Sequence, residues 1–380
     1  MLYERRQVAA KVESVEGTAE TLAAADAKTL VFGAKIDFNP ELLKRDPARS
    51  TYSNLTSLIG KRSGSLALSI ELKGSGTPTT APDWFKFMQA CGCGVSVLKA
   101  ITIGAVTSGP FVHGETVTGG TSSGKGRVII NTANGVTTLY YVVVSGIIQT
   151  GEVLTGGTSG ATATTGSSPS TVGNVLEPLT DGVPTLTIGG YESGVRKLLK
   201  GCRGNAKFSF KAGEIVKIDM DFSGVEAGVT DLAMLSGISY EMTVPPVLLS
   251  AAMTVDAFAA KIGEMSIDLG NELAERDDIS SSRGILSYRI GSRRTTGSFD
   301  PEMVLVATHD FFGKWFAGTE MAMDFQIGSV SGNKFRFFAP RAQYTKVSDE
   351  SRNGNKIAKS EFQLNGLLDP GDVEWALISM

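Results

Sequence analysis

The sequence predicts a mainly β protein. It reads as two tandem β-sandwich or rolled-sheet modules, each with a short helix, and a small β domain inserted in the first. Three observations lead there. The 380-residue chain has 45 glycines, 8% aromatic residues and abundant Thr, Val and Ser, a composition of strands joined by many turns. Residues 36–62 recur without gaps as residues 267–293. A shorter repeat lies between them, GETVTGGTSS (114–123) and GEVLTGGTSG (151–160), identical at seven of ten positions.

The long repeat sets the module. IDFNPELLKRDPARSTYSNLTSLIGKR aligns with IDLGNELAERDDISSSRGILSYRIGSR at 11 of 27 positions, Ile36, Asp37, Glu41, Leu42, Arg45, Asp46, Ser50, Leu55, Ile59, Gly60 and Arg62. Each copy opens with a strand and continues into a polar loop of equal length, from about Asn39 to Gly60 and from Gly270 to Gly291. In the first copy SLALSIEL follows, with Leu66, Leu68, Ile70 and Leu72 on one face of a half-buried strand. PDWFKFMQACG then reads as a short helix started by Pro82 and Asp83. Its counterpart is HDFFGKWFAGT, where Thr308 or Asp310 is positioned to cap the helix beside His309. Both copies close with a hairpin. The first is AKFSF, KAGE as the turn, and IVKIDMDFSG. The second is KFRFFAPRAQYTKV, SDESRNGN as the turn, and KIAKSEFQLNG.

Gly60 to Gly224 spans 164 residues and the matching Gly291 to Gly366 spans 75, so the first copy carries about 89 extra residues. These fall within roughly 99–189. The expected organisation is a first module of residues 1–98 and 190–248, an inserted domain of residues 99–189, and a second module of residues 249–380. Within the insert, TSGATATTGSSPSTVGN reads as a surface segment or linker.

GGTSSGKG (119–126) nearly spells a phosphate-binding loop. Such a loop needs a Ser or Thr hydroxyl for Mg²⁺ after its lysine and a helix behind it. Gly126 occupies the hydroxyl position, and RVIINTANG reads as a strand and an Asn134-Gly135 turn. The second copy lacks the lysine, which makes the repeat an architectural unit. No cofactor is expected.

Charge excludes other classes. The 36 basic and 39 acidic residues nearly cancel at −3, unlike a protein that grips nucleic acid by neutralising phosphates. No apolar run approaches the roughly 18 residues of a membrane span, and MLYERRQVAAKVESVEGT has no apolar core of a signal peptide. Cys91, Cys93 and Cys202 read as reduced, buried small residues, although Cys91-x-Cys93 could be half a metal site. His113 and His309 have no sequence context of a catalytic base. No catalytic, cofactor-binding or metal site is expected.

Long loops in compact domains are usually functional or disordered. A loop kept at equal length in both copies suggests a contact arm reaching a neighbouring subunit, carried by Glu41, Lys44, Arg45, Asp46 and Arg49 and by Glu272, Glu275, Arg276 and Asp277.

The opening KVESVEGTAETLAAADAKTLVFGAKIDF resembles the N-terminal segment of tail tube proteins of long-tailed bacteriophages. So does the order of strand, long loop, alternating strand, short aromatic helix and terminal hairpin. The resemblance covers both modules and not the insert. It implies a structural virion protein without catalysis, made in the host cytoplasm. It implies six modules per ring, so that three copies of a two-module chain would form a pseudo-six-fold ring, with rings stacked by the arms into a hollow tube. The flexible-tailed type suits fused modules with inserts. Partners implied are further copies of the chain, the tape measure protein, tail tip and terminator proteins, and double-stranded DNA passing without specific binding. One sheet face would line the channel, with Glu71, Asp219, Asp221, Glu361 and Gln363 among its polar residues beside Ser65, Ser69 and Lys217. An acid-rich lining would repel phosphates. The alternatives are another self-assembling tail component, such as a terminator or contractile inner tube, and a carbohydrate-binding adhesin acting through the insert. The tail LLDPGDVEWALISM could dock on a neighbour or pack on its own module.

Overall fold

A computed structural model describes residues 5–249, 251, 253–366 and 371–380. The protein is mainly β, 52% strand and 4% helical. Eight strands run side by side and antiparallel in one sheet. Their spatial order is Val31–Leu43, Leu58–Glu71, Lys217–Asp231, Val195–Lys211, Glu264–Asp268, Thr296–Phe299, Asn355–Leu364 and Phe335–Arg352. The first four fall within residues 31–231, here the first half, and the last four within residues 264–364, the second. Within each set the order is opening strand, next strand, then the two strands of the closing hairpin.

The ladder registers align the halves residue by residue. Ile36 lies opposite Leu66, and Leu66 opposite Phe222. Ile267 lies opposite Gly297, and Gly297 opposite Phe362. Phe222 therefore corresponds to Phe362. Matching the hairpins by their terminal glycines puts the correspondence two residues away. Side chains alternate with period two, so a slip of two leaves the apolar pattern unchanged and sequence cannot detect it.

One face of the sheet is apolar and builds the core. Leu66, Leu68, Ile70 and Leu72 are buried, as are Ile218, Met220 and Phe222 on the next strand. Two short helices cover this face, α1 (Phe85–Ala90) and α2 (Phe311–Phe316). Asp310 caps α2, its Oδ1 accepting from the Gly313 N–H at 2.7 Å. Trp84, at the start of α1, is fully buried and donates from Nε1 to the Lys73 carbonyl at 2.8 Å. Phe87 packs on Phe222 with centroids 5.9 Å apart. Phe87→Ala is expected to cost about 3–5 kcal/mol, because the ring is lost and the sheet cannot close the void. Urea unfolding of the variant checks this.

The inserted region has its own core. Ile101, Val117, Val128, Leu139, Tyr141 and Leu154 cluster apart from the main core. They come from short strands including Thr116–Gly119, Lys125–Val128, Thr138–Ser145 and Val153–Gly156. The TSGATATTGSSPSTVGN tract is not a linker. It contains the strand Thr162–Thr164 and the start of Ser170–Pro178, and Ala161 and Ala163 are buried. Its alternating Thr and Ala side chains form the two faces of a strand, which composition alone hides. The expected strand RVII ends early, at Val128.

The tail packs on its own chain. Its LLDP (367–370) lies outside the described residues. Trp375 is fully buried and stacks on Phe337, centroids 6.0 Å apart. Ala376–Ser379 is a strand between Ser170–Pro178 and Phe335–Arg352.

Candidate assembly arms, polar face and anion-binding turns

Each GGTS turn holds a carboxylate of the other repeat. Glu152 accepts from the N–H of Thr121 at 3.0 Å, of Ser122 at 2.8 Å and of Gln149 at 2.6 Å, and from Ser122 Oγ at 2.7 Å. Glu115 accepts from the N–H of Thr158 at 3.1 Å, of Ser159 at 3.0 Å and of Val112 at 2.7 Å, and from Ser159 Oγ at 2.9 Å. The strands between are antiparallel, with Thr118 opposite Thr155, so the two repeats are related by a local two-fold. Gly119 and Gly156 leave the space: a Cβ at Gly119 would collide with the Glu152 carboxylate, and one at Gly156 would sit 2.7 Å from Glu115 Oε2. The turn is thus an anion-binding nest, as its likeness to a phosphate loop suggests, and the anion is the protein's own. Burial works against ionising Glu152, but the N–H groups and hydroxyl of the turn outweigh it and lower its pKa from 4.5 to about 2. Lys125 opens a strand and not a helix.

The second expected loop is a β-hairpin, a correction to the reading of it as a loop, while the first is a hairpin at its base and an irregular loop over residues 44–57. The first is formed by Val31–Leu43 and Leu58–Glu71, paired out to Leu43 opposite Leu58. The second is formed by Asn271–Asp277 and Ile285–Arg293. Glu275, Arg276 and Asp277 are consecutive charges, which read as loop polarity although they end a strand. Likewise the SDESRNGN turn shrinks to Asn353-Gly354, both at positive φ, because the flanking strands extend to Arg352 and Asn355.

Glu41, at the edge of the first hairpin, and Lys44, Arg45, Asp46 and Arg49, at its tip, are all exposed. The second hairpin lies against the first half. Glu275 and Asp277 pair with Lys61 at 3.1 and 2.7 Å, and Arg276 pairs with Glu16 at 2.9 Å. Glu272 accepts from Ser292 Oγ across the hairpin at 2.7 Å. Burial opposes the Glu16 charge, yet Ser287, Arg203 and Arg276 together hold its pKa below the usual carboxylate value. Asp277 and Glu275 raise that of Lys61. Sequence reasoning missed Glu16, Lys61, Glu115 and Glu152. Only Glu115 and Glu152 left a signal, as the second residue of each short repeat.

The polar face is continuous across these eight strands. Glu71 lies opposite Lys217, Asp219 opposite Ser69 and Lys207, and Lys207 opposite Asp268. Glu361 lies opposite Ser298 and Lys346, and Gln363 opposite Thr296 and Gln343. Asp221 lies opposite Ala67 and Asn205. Neighbouring strands bring Lys35, Lys207, Lys211, Lys346 and Lys359 onto the same face as Asp37, Glu264 and Asp268. The two signs nearly balance, which corrects the expectation of an acid-rich lining. The lysines sit beside carboxylates: Lys35 with Asp37 at 2.8 Å, Lys211 with Glu214 at 2.6 Å, Lys359 with Glu350 at 3.3 Å and Lys346 with Glu361 at 3.4 Å.

The remaining candidates are packed groups. His113 donates from Nδ1 to the Ile129 carbonyl at 2.5 Å and stands edge-on to Phe338. His309 stacks on Phe258 with Nε2 3.1 Å from the Tyr344 hydroxyl. Burial pushes both pKa values down. Cys91, Cys93 and Cys202 are free, buried thiols, and burial pushes Cys93 up to about 12. Among the described residues no group of three His, Cys, Asp or Glu side chains could hold a metal ion, and no helix is long and apolar enough to cross a membrane.

A mainly β chain with one exposed arm, one docked arm and a continuous polar sheet face has the build of a structural protein. Comparison with known families matches residues 4–361 to the phage tail tube proteins. The chain belongs to that family. It is a structural component of the virion, built into a tail tube from multiple copies. No individual curated protein matches it.

Proposed function

We propose that this chain is the whole repeating unit of the tube ring. Residues 1–98 with 190–248 form one tube module, residues 249–380 a second, and residues 99–189 an inserted decoration domain. Three copies then supply six modules to a pseudo-six-fold ring, in a flexible tail. The polar sheet face lines the channel through which double-stranded DNA passes, with Glu71, Asp219, Asp221, Glu361 and Gln363 among the lining residues. The observation that carries this reading is the order of the eight strands, in which the second set of four continues the sheet edge of the first.

The lining is not strongly repulsive. Lys35, Lys211, Lys346 and Lys359 pair with adjacent carboxylates, which leaves fewer cations to release counterions from DNA. That favours sliding over sticking by a different route from an acidic wall.

Rings stack through the arms. The exposed tip residues Lys44, Arg45, Asp46 and Arg49 with Glu41 reach the next ring. Glu272, Glu275, Arg276 and Asp277 stiffen the second arm for the same contact. The tape measure protein occupies the lumen before DNA does, and tip and terminator proteins bind the two ends. The chain is made in the host cytoplasm before assembly.

End-on electron microscopy of the purified protein tests the ring. Three-fold particles with six inner lobes are expected. Six copies per ring would place twelve modules around it and overturn the proposal.

A further inference from the structure

One arm is docked and its sister is not. In the second half, Asn271 Nδ2 donates to the Cys91 carbonyl behind α1 at 2.7 Å. Beside it Ile290 fills the space above Gly92, φ +79°, where a Cβ would lie 2.9 Å from Ile290 Cδ1. Arg62 N–H donates to the Arg283 carbonyl at 3.1 Å, and Ile285 and Tyr288 are buried. The arm of the first half has the same length, yet Leu42, Leu58 and Ile59 are 55%, 53% and 52% exposed.

The repeat says what should cover it. Ile59 is the counterpart of Ile290, and α2 that of α1. Behind α2 stands Gly318, φ +63°, as Gly92 stands behind α1. Beside it Phe316 is 76% exposed, where α1 has the buried Ala90. Two apolar side chains, Ile59 and Phe316, are thus exposed in one chain, while Gly318 itself lies under the Gln343 amide, whose Nε2 donates to its carbonyl at 2.9 Å. The charges differ to match: Lys61 and Glu275, which pair within the chain, have counterparts Ser292 and Lys44. The ion pair therefore has no counterpart at the repeated junction, and the apolar Ile59 and Phe316 are left as its anchor.

The sheet edges show the same asymmetry independently. Val195–Lys211 gives its edge to Glu264–Asp268, Lys207 opposite Asp268. On Val31–Leu43, the Ala34 and Ile36 carbonyls accept from side chains instead, from Arg6 Nη1 at 3.2 Å and Lys197 Nζ at 3.3 Å. Following the ladders, Asp37 stands where Asp268 does and Ser348 where Lys207 does.

We propose that a second copy of this chain completes both features by repeating the internal junction. The base of the first arm docks sideways at the C-terminal end of α2 of the next copy, Ile59 on Phe316. The Val31–Leu43 edge continues that copy's sheet from Phe335–Arg352, Asp37 opposite Ser348. This rests on the tube reading and adds that the base of the arm works within a ring, while its tip is left for the stacked ring. A head-to-tail contact of this kind closes into a ring when its rotations close, and it hides strand edges that otherwise invite uncontrolled pairing.

The test uses full-length protein under assembly conditions. Ile59→Cys and Phe316→Cys single variants are mixed and treated with a short bis-maleimide, the native thiols being buried. Covalent dimers are expected from the mixture and not from either variant alone. A mixture of Asp37→Cys and Ser348→Cys should form disulfide dimers in the same way. Phe316→Asp should leave melting unchanged and raise the concentration needed for assembly about tenfold, the loss of one apolar anchor. Normal tubes from Phe316→Asp without arm cross-links would overturn the inference and leave the tube reading standing. Absence of any ring or tube from wild-type protein, even with tail tips as seeds, would overturn both. Arm cross-links without the disulfide would overturn the edge register alone.

Discussion

Glu152→Ala is expected to destabilise the inserted domain by about 3–5 kcal/mol, since it strips the partners from buried N–H groups and a hydroxyl at once. The Thr121, Ser122 and Gln149 amides all point at that one carboxylate. Glu115→Ala should behave alike, and the double variant should lose less than the sum, because the turns belong to one local two-fold unit. Glu152 also makes the insert acid-sensitive. Its folded pKa is depressed to about 2 from 4.5. The stabilisation is therefore complete above the unfolded value and drains away as pH falls from about 4.5 towards 2. Hydrogen exchange over residues 114–165 reads both effects. Unchanged protection in Glu152→Ala would show that the nest does not hold the domain together.

Gly270→Ala should dislocate the second arm, at a cost of about 2–4 kcal/mol. Gly270 has φ +67°, where a side chain is strained, and a Cβ there would collide with the Arg294 carbonyl. Neither atom can retreat, because Arg294 N–H donates to the Gly270 carbonyl at 3.2 Å and closes the base of the hairpin. The counterpart position in the first arm is Asn39, so the two arms leave the sheet differently. Proteolysis between residues 278 and 284 should accelerate in the variant. An unchanged cleavage rate would mean that the arm is held by its ion pairs alone.

The sequence reading reached the strands whose apolar residues alternate. Leu66, Leu68, Ile70 and Leu72 announced a buried face, and Asp310 announced its helix, because those signals are local. The arms were legible as a repeat and, over residues 44–57, as a loop, but the second hairpin was not, because its consecutive charges carry no apolar period. The nests were hidden for another reason. A Glu beside a glycine-rich turn says nothing of the partner 30–44 residues away that its carboxylate reaches. The near-neutral polar face was missed because Lys207 and Lys346 lie on strands whose neighbours only the ladder register reveals.

The exchanged carboxylates also limit how such an insert can grow. Each repeat offers one glutamate and one turn, and each is used by the other copy. A third repeat would bring a turn with no anion and a carboxylate with no turn, and no open end exists on which it could stack. The short repeat is therefore a closed pair, unlike the units of a solenoid. Its size is fixed by its own symmetry, and divergence within it must proceed in both copies together.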